Sequence, residues 1–272
     1  MLSSSRFFVV ASVIATRVVA AQSDSAAQKT FFVPRDAGVA AAFVAASAGL
    51  SLFDVRIAHF FRDTVHSHVR AGQRLDGVFT HVNETTLTIG GLAIYGVARL
   101  TNQRTIADVA FHATESVVAA SLSSQVIRGP LGRTRPLNTT PEYQNQYSFK
   151  FLKGFEHFEN RAFPSIHSSS GFAAASAIVA EVQRRNPSAT WFVGVPLYGF
   201  ALTPGLARMY LGQHWASDIF SGAFLGTFYG WRIVDYSHQH WTPIDRAFLG
   251  SADRARAGRG PRTAALSWTI AF

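Results

Sequence analysis

The sequence predicts an all-α protein, a helical bundle of about six helices with a short C-terminal extension. Three observations predict it. Long stretches are uncharged or carry apolar residues at helical spacing, and polar breaks such as 101–105 and Asn186-Pro187 separate them. No strand alternation or internal repeat competes before the tail. The small residues Ser221, Gly222, Ala223, Gly226 and Gly230 recur along the last stretch, a pattern that lets helices approach closely. A chain of 272 residues is long enough to bury one sizeable core.

In chain order, the alanine-rich run from Ala37 to Phe53 forms the first expected helix, as protein core or in a membrane. The second spans Asp54 to Gly77, with Val55, Ile57, Ala58, Phe61, Val65 and Val69 apolar among charges. Thr86–Leu100 and Ile106–Ile127 give the third and fourth. Residues 137–161 are polar, aromatic and aperiodic, a loop long enough to act as a lid over a site. Ser168–Gln183 and Asp218–Val234 give the last two helices, and between them Trp191–Ala207 is uncharged but contains Pro196 and Pro204.

The two ends read differently. Residues 1–22 have a basic start at Arg6, an apolar run Phe7–Ala15 and small residues before Gln22, as a secretory signal peptide or an N-terminal anchor does. The catalytic domain is then expected at 30–236. Residues 237–272 form a basic tail in which Leu266, Trp268, Ile270 and Phe272 alternate as a peripheral strand would.

Composition narrows the class. The chain is 48% hydrophobic and 15% charged, with a net charge of +9 and no cysteine. Disulfides, thiolate metal sites and a cysteine nucleophile are thereby excluded. The positive balance suits an anionic partner, but the arginines are scattered, so nucleic acid is not expected. The mean hydropathy of +0.12 lies between a soluble domain and a polytopic membrane protein. No window reaches the roughly 20 apolar residues of a spanning helix, because Asp36, Asp54 and Arg208 interrupt the best two. Membrane association on the periplasmic side of a bacterial membrane is the expected location.

Three clusters of Arg, His and Asp carry the chemistry. The first contains Arg128 and Arg135-Pro136, two permanent cations suited to a phosphate dianion. The second is Pro164-Ser165-Ile166-His167 at a helix entry, where backbone N–H groups and a hydroxyl make an anion site. The third runs from Arg208 through His214 to Asp218. That His and Asp stand four positions apart, so a carboxylate can fix one ring nitrogen and leave the other as nucleophile. Taken singly, each cluster also has a structural explanation: a membrane-face turn, a helix cap, a His–Asp pair.

Read together and in order, they resemble the type 2 phosphatidic acid phosphatase and vanadium haloperoxidase superfamily, whose pattern is Lys-x6-Arg-Pro, Pro-Ser-Gly-His and Ser-Arg-x5-His-x3-Asp. The resemblance implies an all-α bundle and hydrolysis of a phosphorylated lipid or small molecule with no metal or other cofactor. It makes His214 the nucleophile that forms a phosphohistidine, Asp218 its orienting partner and His167 the general acid. Arg128, Arg135, Arg208, Ser165 and the Ile166 N–H then hold phosphate oxygens. Three positions depart from the pattern: Arg128 for Lys, Ala207 for Ser and Ile166 for Gly. The last brings β-branched bulk where chain and phosphate meet. The other readings are a vanadate-dependent haloperoxidase and a non-catalytic anion- or lipid-binding membrane protein.

Overall fold

The computed structural model describes residues 30–65, 79 and 81–250. The expected signal segment and terminal strand lie outside them, as does 66–77 of the second expected helix. The chain divides into two units, Met1–Val33 and Pro34–Phe272. Of the first, only 30–33 is described, a bend in which Thr30 Oγ1 donates to the Phe32 carbonyl at 2.5 Å.

The described residues of the second unit are mostly helical. Its helices are α1 (Pro34–Ser51), α2 (Asp54–His59, continued by a π-helical turn Phe60–Val65), α3 (Glu84–Leu100) and α4 (Arg104–Leu131). They continue with α5 (Ile166–Arg185), α6 (Thr190–Tyr210), α7 (Ala216–His240) and α8 (Pro243–Phe248). Only one isolated β-bridge, Arg133 with Phe149, interrupts this pattern among the described residues. Among the described residues the expected count of about six becomes eight. The additions are α6, which runs through Pro196 and Pro204, and the short α8.

Local chemistry fixes the boundaries. Asn83 caps α3 by accepting the N–H groups of Thr85 and Thr86, while Thr86 Oγ1 accepts the Asn83 N–H in return. α4 runs past Ile127, so Arg128 stands on its last turn. It stops at Gly132, whose φ of 60° is left-handed and whose missing Cβ would meet the Lys150 carbonyl. The loop after it is less irregular than its composition implies, containing 3-10 turns at Pro136–Asn138, Lys153–Phe155 and Phe158–Asn160.

The core is organised around α5 and α7. A Cβ on Gly222 would collide with the Ser165 carbonyl, one on Gly226 with the Ser169 carbonyl, and one on Gly230 with Ser176 and Ala173. The small residues therefore do what their recurrence suggests, bringing the two backbones together. α4 joins through the buried Val117, Ala120 and Ala173 and through a Ser124–Ser169 hydroxyl contact at 2.9 Å. α1 lies on α7 by a Ser47–Ser221 hydroxyl pair at 2.6 Å and by Phe43 stacked on Phe224.

The C-terminal tail begins later than expected. α7 continues through residue 236 to His240, and Trp241 and Leu249 are buried with Phe111 of α4, so 237–249 belongs to the core. Tyr95 Oη fastens the segment by donating to the Phe248 carbonyl at 2.6 Å.

No single helix among the described residues is long and apolar enough to cross a membrane. α1 and the segment Asp54–Asp63, bent by 56°, pass that test only as a pair, by length and composition.

Because backbone rather than side chain faces Gly226, the substitution Gly226→Ala should cost about 1–3 kcal/mol through overpacking. Urea or thermal unfolding of the variant measures it.

Candidate active site

Four helix termini and one loop bring the three clusters together. Arg128 comes from the end of α4, Ile166 and His167 from the start of α5, Arg208 from the last turn of α6, and His214 from the connection leading into α7. With Arg135, Phe158 and Arg161 of the long loop, and with Glu84 and Gln125, they line one cavity of about 170 Å³. A backbone bond from the Ser165 N–H to the Asp218 carbonyl, 3.0 Å, joins the beginnings of α5 and α7.

Each of the three cations has an uncharged partner. Arg128 donates to the Arg161 carbonyl at 2.8 Å. Arg135 donates to Gln213 Oε1, and its guanidinium lies 3.7 Å over the Phe158 ring. Arg208 reaches the same Gln213 oxygen at 3.5 Å. Among the described residues no carboxylate forms an ion pair with Arg128 or Arg135, and a guanidinium keeps its charge toward an anion.

His214 is 2% exposed, and its Nδ1 bonds to the Ala162 carbonyl at 2.7 Å. A carbonyl only accepts, so the proton sits on Nδ1 and the Nε2 lone pair is free. This corrects the role expected of Asp218. Its Oδ2 lies 3.6 Å from Nδ1, near enough to act through its charge, but the hydrogen bond belongs to Ala162. The physical reason is local: α7 begins at Ala216, so His214 precedes the helix, and Asp218 caps it by accepting the Trp215 N–H at 2.7 Å.

The other Asp218 oxygen receives Arg133 at 2.5 Å. Arg133 also donates to Asp54 Oδ2 at 2.8 Å and to Ser217 Oγ at 2.8 Å, and Ser217 donates its N–H to Asp54 Oδ1 at 2.9 Å. Asp54, Arg133 and Asp218 are all within 2% of full burial. Burial pushes both carboxyls above their ordinary range, and Arg133 between them pulls them back.

Ser165 departs from expectation in a second way. It is fully buried and does not line the cavity, and its hydroxyl caps α5 by accepting from the Ser168 N–H. Ile166 does line the cavity, with only 4% exposed.

Sequence reasoning passed over four contributors. Arg133 was visible inside the first cluster, and Asp54 as a lone acid after an uncharged stretch. Arg161 and the Ala162 carbonyl left no signal, because a backbone acceptor has no residue type.

His167 is neutral in this state. Burial first, then Arg208, His214, Arg128 and Arg135, push its pKa from the ordinary 6.5 down to about 3. His214 is likewise held well below its usual range, by burial and then by Arg135, Arg208 and Arg128. The field that depresses both rings is the field that attracts a dianion.

Residues 110–241, which contain all three clusters, match the family model of the PAP2 superfamily. The resemblance drawn from the motifs is thereby supported independently. A curated relative, the lipid A 4'-phosphatase of Bacteroides thetaiotaomicron, is 26% identical over 122 residues, 44% of this chain and 50% of the relative. The chain thus spans about half the length of that relative. A solved structure, a transmembrane PAP2 type phosphatidylglycerolphosphate phosphatase from Bacillus subtilis, aligns with a TM-score of 0.34 and 18% identity. That alignment covers 71% of this chain and 96% of the other.

A depressed histidine pKa means the unfolded chain binds more protons than the folded one between about 3 and 6.5. Stability contributed by a neutral His167 is therefore complete above 6.5 and is lost as pH falls toward 3. Melting temperature should drop across that window, and inorganic phosphate or vanadate, by neutralising the arginines, should blunt the drop.

Proposed function

With residues 110–241 matching the PAP2 superfamily as premise, we propose that this chain is a phosphoric monoester hydrolase acting on a lipid phosphate or related phosphorylated amphiphile. One observation carries the reading: Arg128, Arg135 and Arg208 share one small cavity with two neutral imidazoles. Drug-sized ligands occupy about 300–1,000 Å³. A cavity of about 170 Å³ suits a head group whose remainder stays outside.

The proposed chemistry follows from the free lone pair. His214 Nε2 attacks phosphorus, a P–N bond forms, and the bond to the ester oxygen breaks. Arg128, Arg135 and Arg208 hold the equatorial oxygens, assisted by the Ile166 N–H. His167 delivers the proton to the leaving oxygen. It becomes able to do so when the bound dianion cancels the repulsion from Arg208, Arg128 and Arg135 and raises its pKa. Water then attacks the phosphohistidine, His167 takes a proton from it, the P–N bond breaks, and phosphate leaves. Hydrolysis independent of a metal belongs to the same proposal.

The preference for an amphiphile rests on the rim. Phe149-Lys150-Phe151-Leu152-Lys153 precedes the cavity-lining Phe158 and Arg161, and the side chains of Phe151, Leu152, Phe155 and Phe158 are 58–71% exposed. Apolar side chains between lysines fit the interface of an anionic bilayer, rings among the acyl chains and ammonium groups among the phosphates. The segment is also anchored to the site, since Gly154 packs directly on the Arg128 and Gly129 backbone. Location at a membrane surface, on its periplasmic face, belongs to the same proposal.

Substituting His214→Ala should abolish phosphate release from both a soluble aryl phosphate and phosphatidate in vesicles, with the helical circular dichroism unchanged. Continued turnover would refute the assignment. The double variant Phe151→Ser, Phe155→Ser should keep its rate on the soluble ester and lose about tenfold or more on anionic vesicles, each buried ring being worth 1.5–3 kcal/mol in transfer. Equal rates on vesicles would remove the lipid preference and leave the hydrolase.

A further inference from the structure

The second concentration of titratable side chains lies at the other ends of the same helices. His112 of α4, Glu181 of α5 and His238 of α7 converge where roughly four to six helical turns, on the order of 20–30 Å, separate them from Arg128, His167 and Asp218. We propose that these three side chains form a binding site for one divalent transition-metal ion, which staples α4, α5 and α7 together. The proposal does not depend on the hydrolase reading.

The donor set and its geometry support it. His112 Nδ1 lies 2.5 Å from Glu181 Oε1, and His238 Nε2 lies 2.8 Å from the same oxygen. One ligand atom from each of the three falls within 4.8 Å of the others. Their side chains are 1%, 0% and 9% exposed, so water does not solvate them. Two imidazoles and a carboxylate, with no thiolate, suit Zn²⁺ and its neighbours in the first transition row. With metal bonds of about 2.0–2.2 Å, tetrahedral ligands stand about 3.4 Å apart, so small side-chain movements admit the ion.

Proton accounting points the same way. His112 Nε2 is buried 3.5 Å from Asp245 Oδ1, and neither atom has a hydrogen-bond partner among the described residues. When Nδ1 gives its lone pair to a metal, the ring proton moves to Nε2 and faces that carboxylate, the usual arrangement behind a metal-bound histidine. Asp245 is already fixed for the task, its other oxygen accepting the Thr242 N–H and hydroxyl at 2.8 Å each. On the far side Arg185 donates to Glu181 Oε2, orienting the carboxylate.

Cobalt(II) titration of chelator-treated protein tests the site. The expected result is one Co²⁺ per chain with visible ligand-field absorption, displaced by Zn²⁺, and a rise in melting temperature with either ion. His238→Gln should weaken Co²⁺ binding by about a hundredfold or more, and Asp245→Asn by about 10- to 100-fold, as loss of a carboxylate behind a ligand does. His214→Ala should leave it unchanged. Circular dichroism confirms that the variants are folded, and the wild-type titration needs no variant. No uptake by the wild type would overturn the proposal and identify the cluster as a hydrogen-bonded structural set. A cobalt spectrum lost in His214→Ala but kept in His238→Gln would also overturn it, placing the ion in the phosphate cavity.

Discussion

The site depends on the backbone contact between α5 and α7. Gly222, Gly226 and Gly230 remove the side chains that would hold these helices apart, and Ser165, Ser169 and Ala173 meet them with carbonyls and small groups. The first consequence is positional: with the helices in contact along their length, their N-termini meet, and the Ser165 N–H reaches the Asp218 carbonyl. His167 and His214 thus face one cavity because distant residues are small. The cost is conformational, since glycine within a helix is unfavourable by about 1 kcal/mol relative to alanine. Packing along the whole interface offsets it.

Beneath the cavity the charge is arranged in two layers. Asp54, Arg133 and Asp218 form a closed, dry set in which one guanidinium serves two carboxylates. Above it, Arg128, Arg135 and Arg208 are held by a carbonyl, an amide and an aromatic face. Such partners orient a cation without neutralising it. The lower layer keeps its two acids occupied with Arg133. Removing Arg133 would leave two buried carboxyls without a counter-ion, the situation in which a broken pair is far more costly than a missing one.

Much of this was legible in the sequence, for identifiable reasons. The spacing of Arg128 to Arg135, the Pro-Ser-x-His element and the run from Arg208 to Asp218 are local facts, and local facts survive folding. The recurrence of small residues in α7 is also local, and it named the interface correctly without naming its partner. What was not legible is tertiary. The spacing of His214 and Asp218 suggested a helical pair, but the helix starts two residues after His214, so the carboxylate turned to capping and to Arg133. The acceptor on His214 is a peptide carbonyl, which any residue supplies. Pro196 and Pro204 argued against a helix that packing nevertheless enforces, and the apolar residues after 236 resembled a tail until Trp241 and Leu249 were seen buried with Phe111.

That carbonyl belongs to Ala162, and its position has a mechanical consequence. The stretch from Phe149 to Ala162 carries the aromatic rim, packs Gly154 onto the backbone of Arg128, offers the Arg161 carbonyl to the Arg128 guanidinium, and ends by gripping the ring of His214. Outer lip and inner ring are two ends of one lever. A force that shifts the lip therefore reaches the imidazole through a dozen residues of continuous chain, and the stretch that carries the exposed rings also sets the aim of the lone pair.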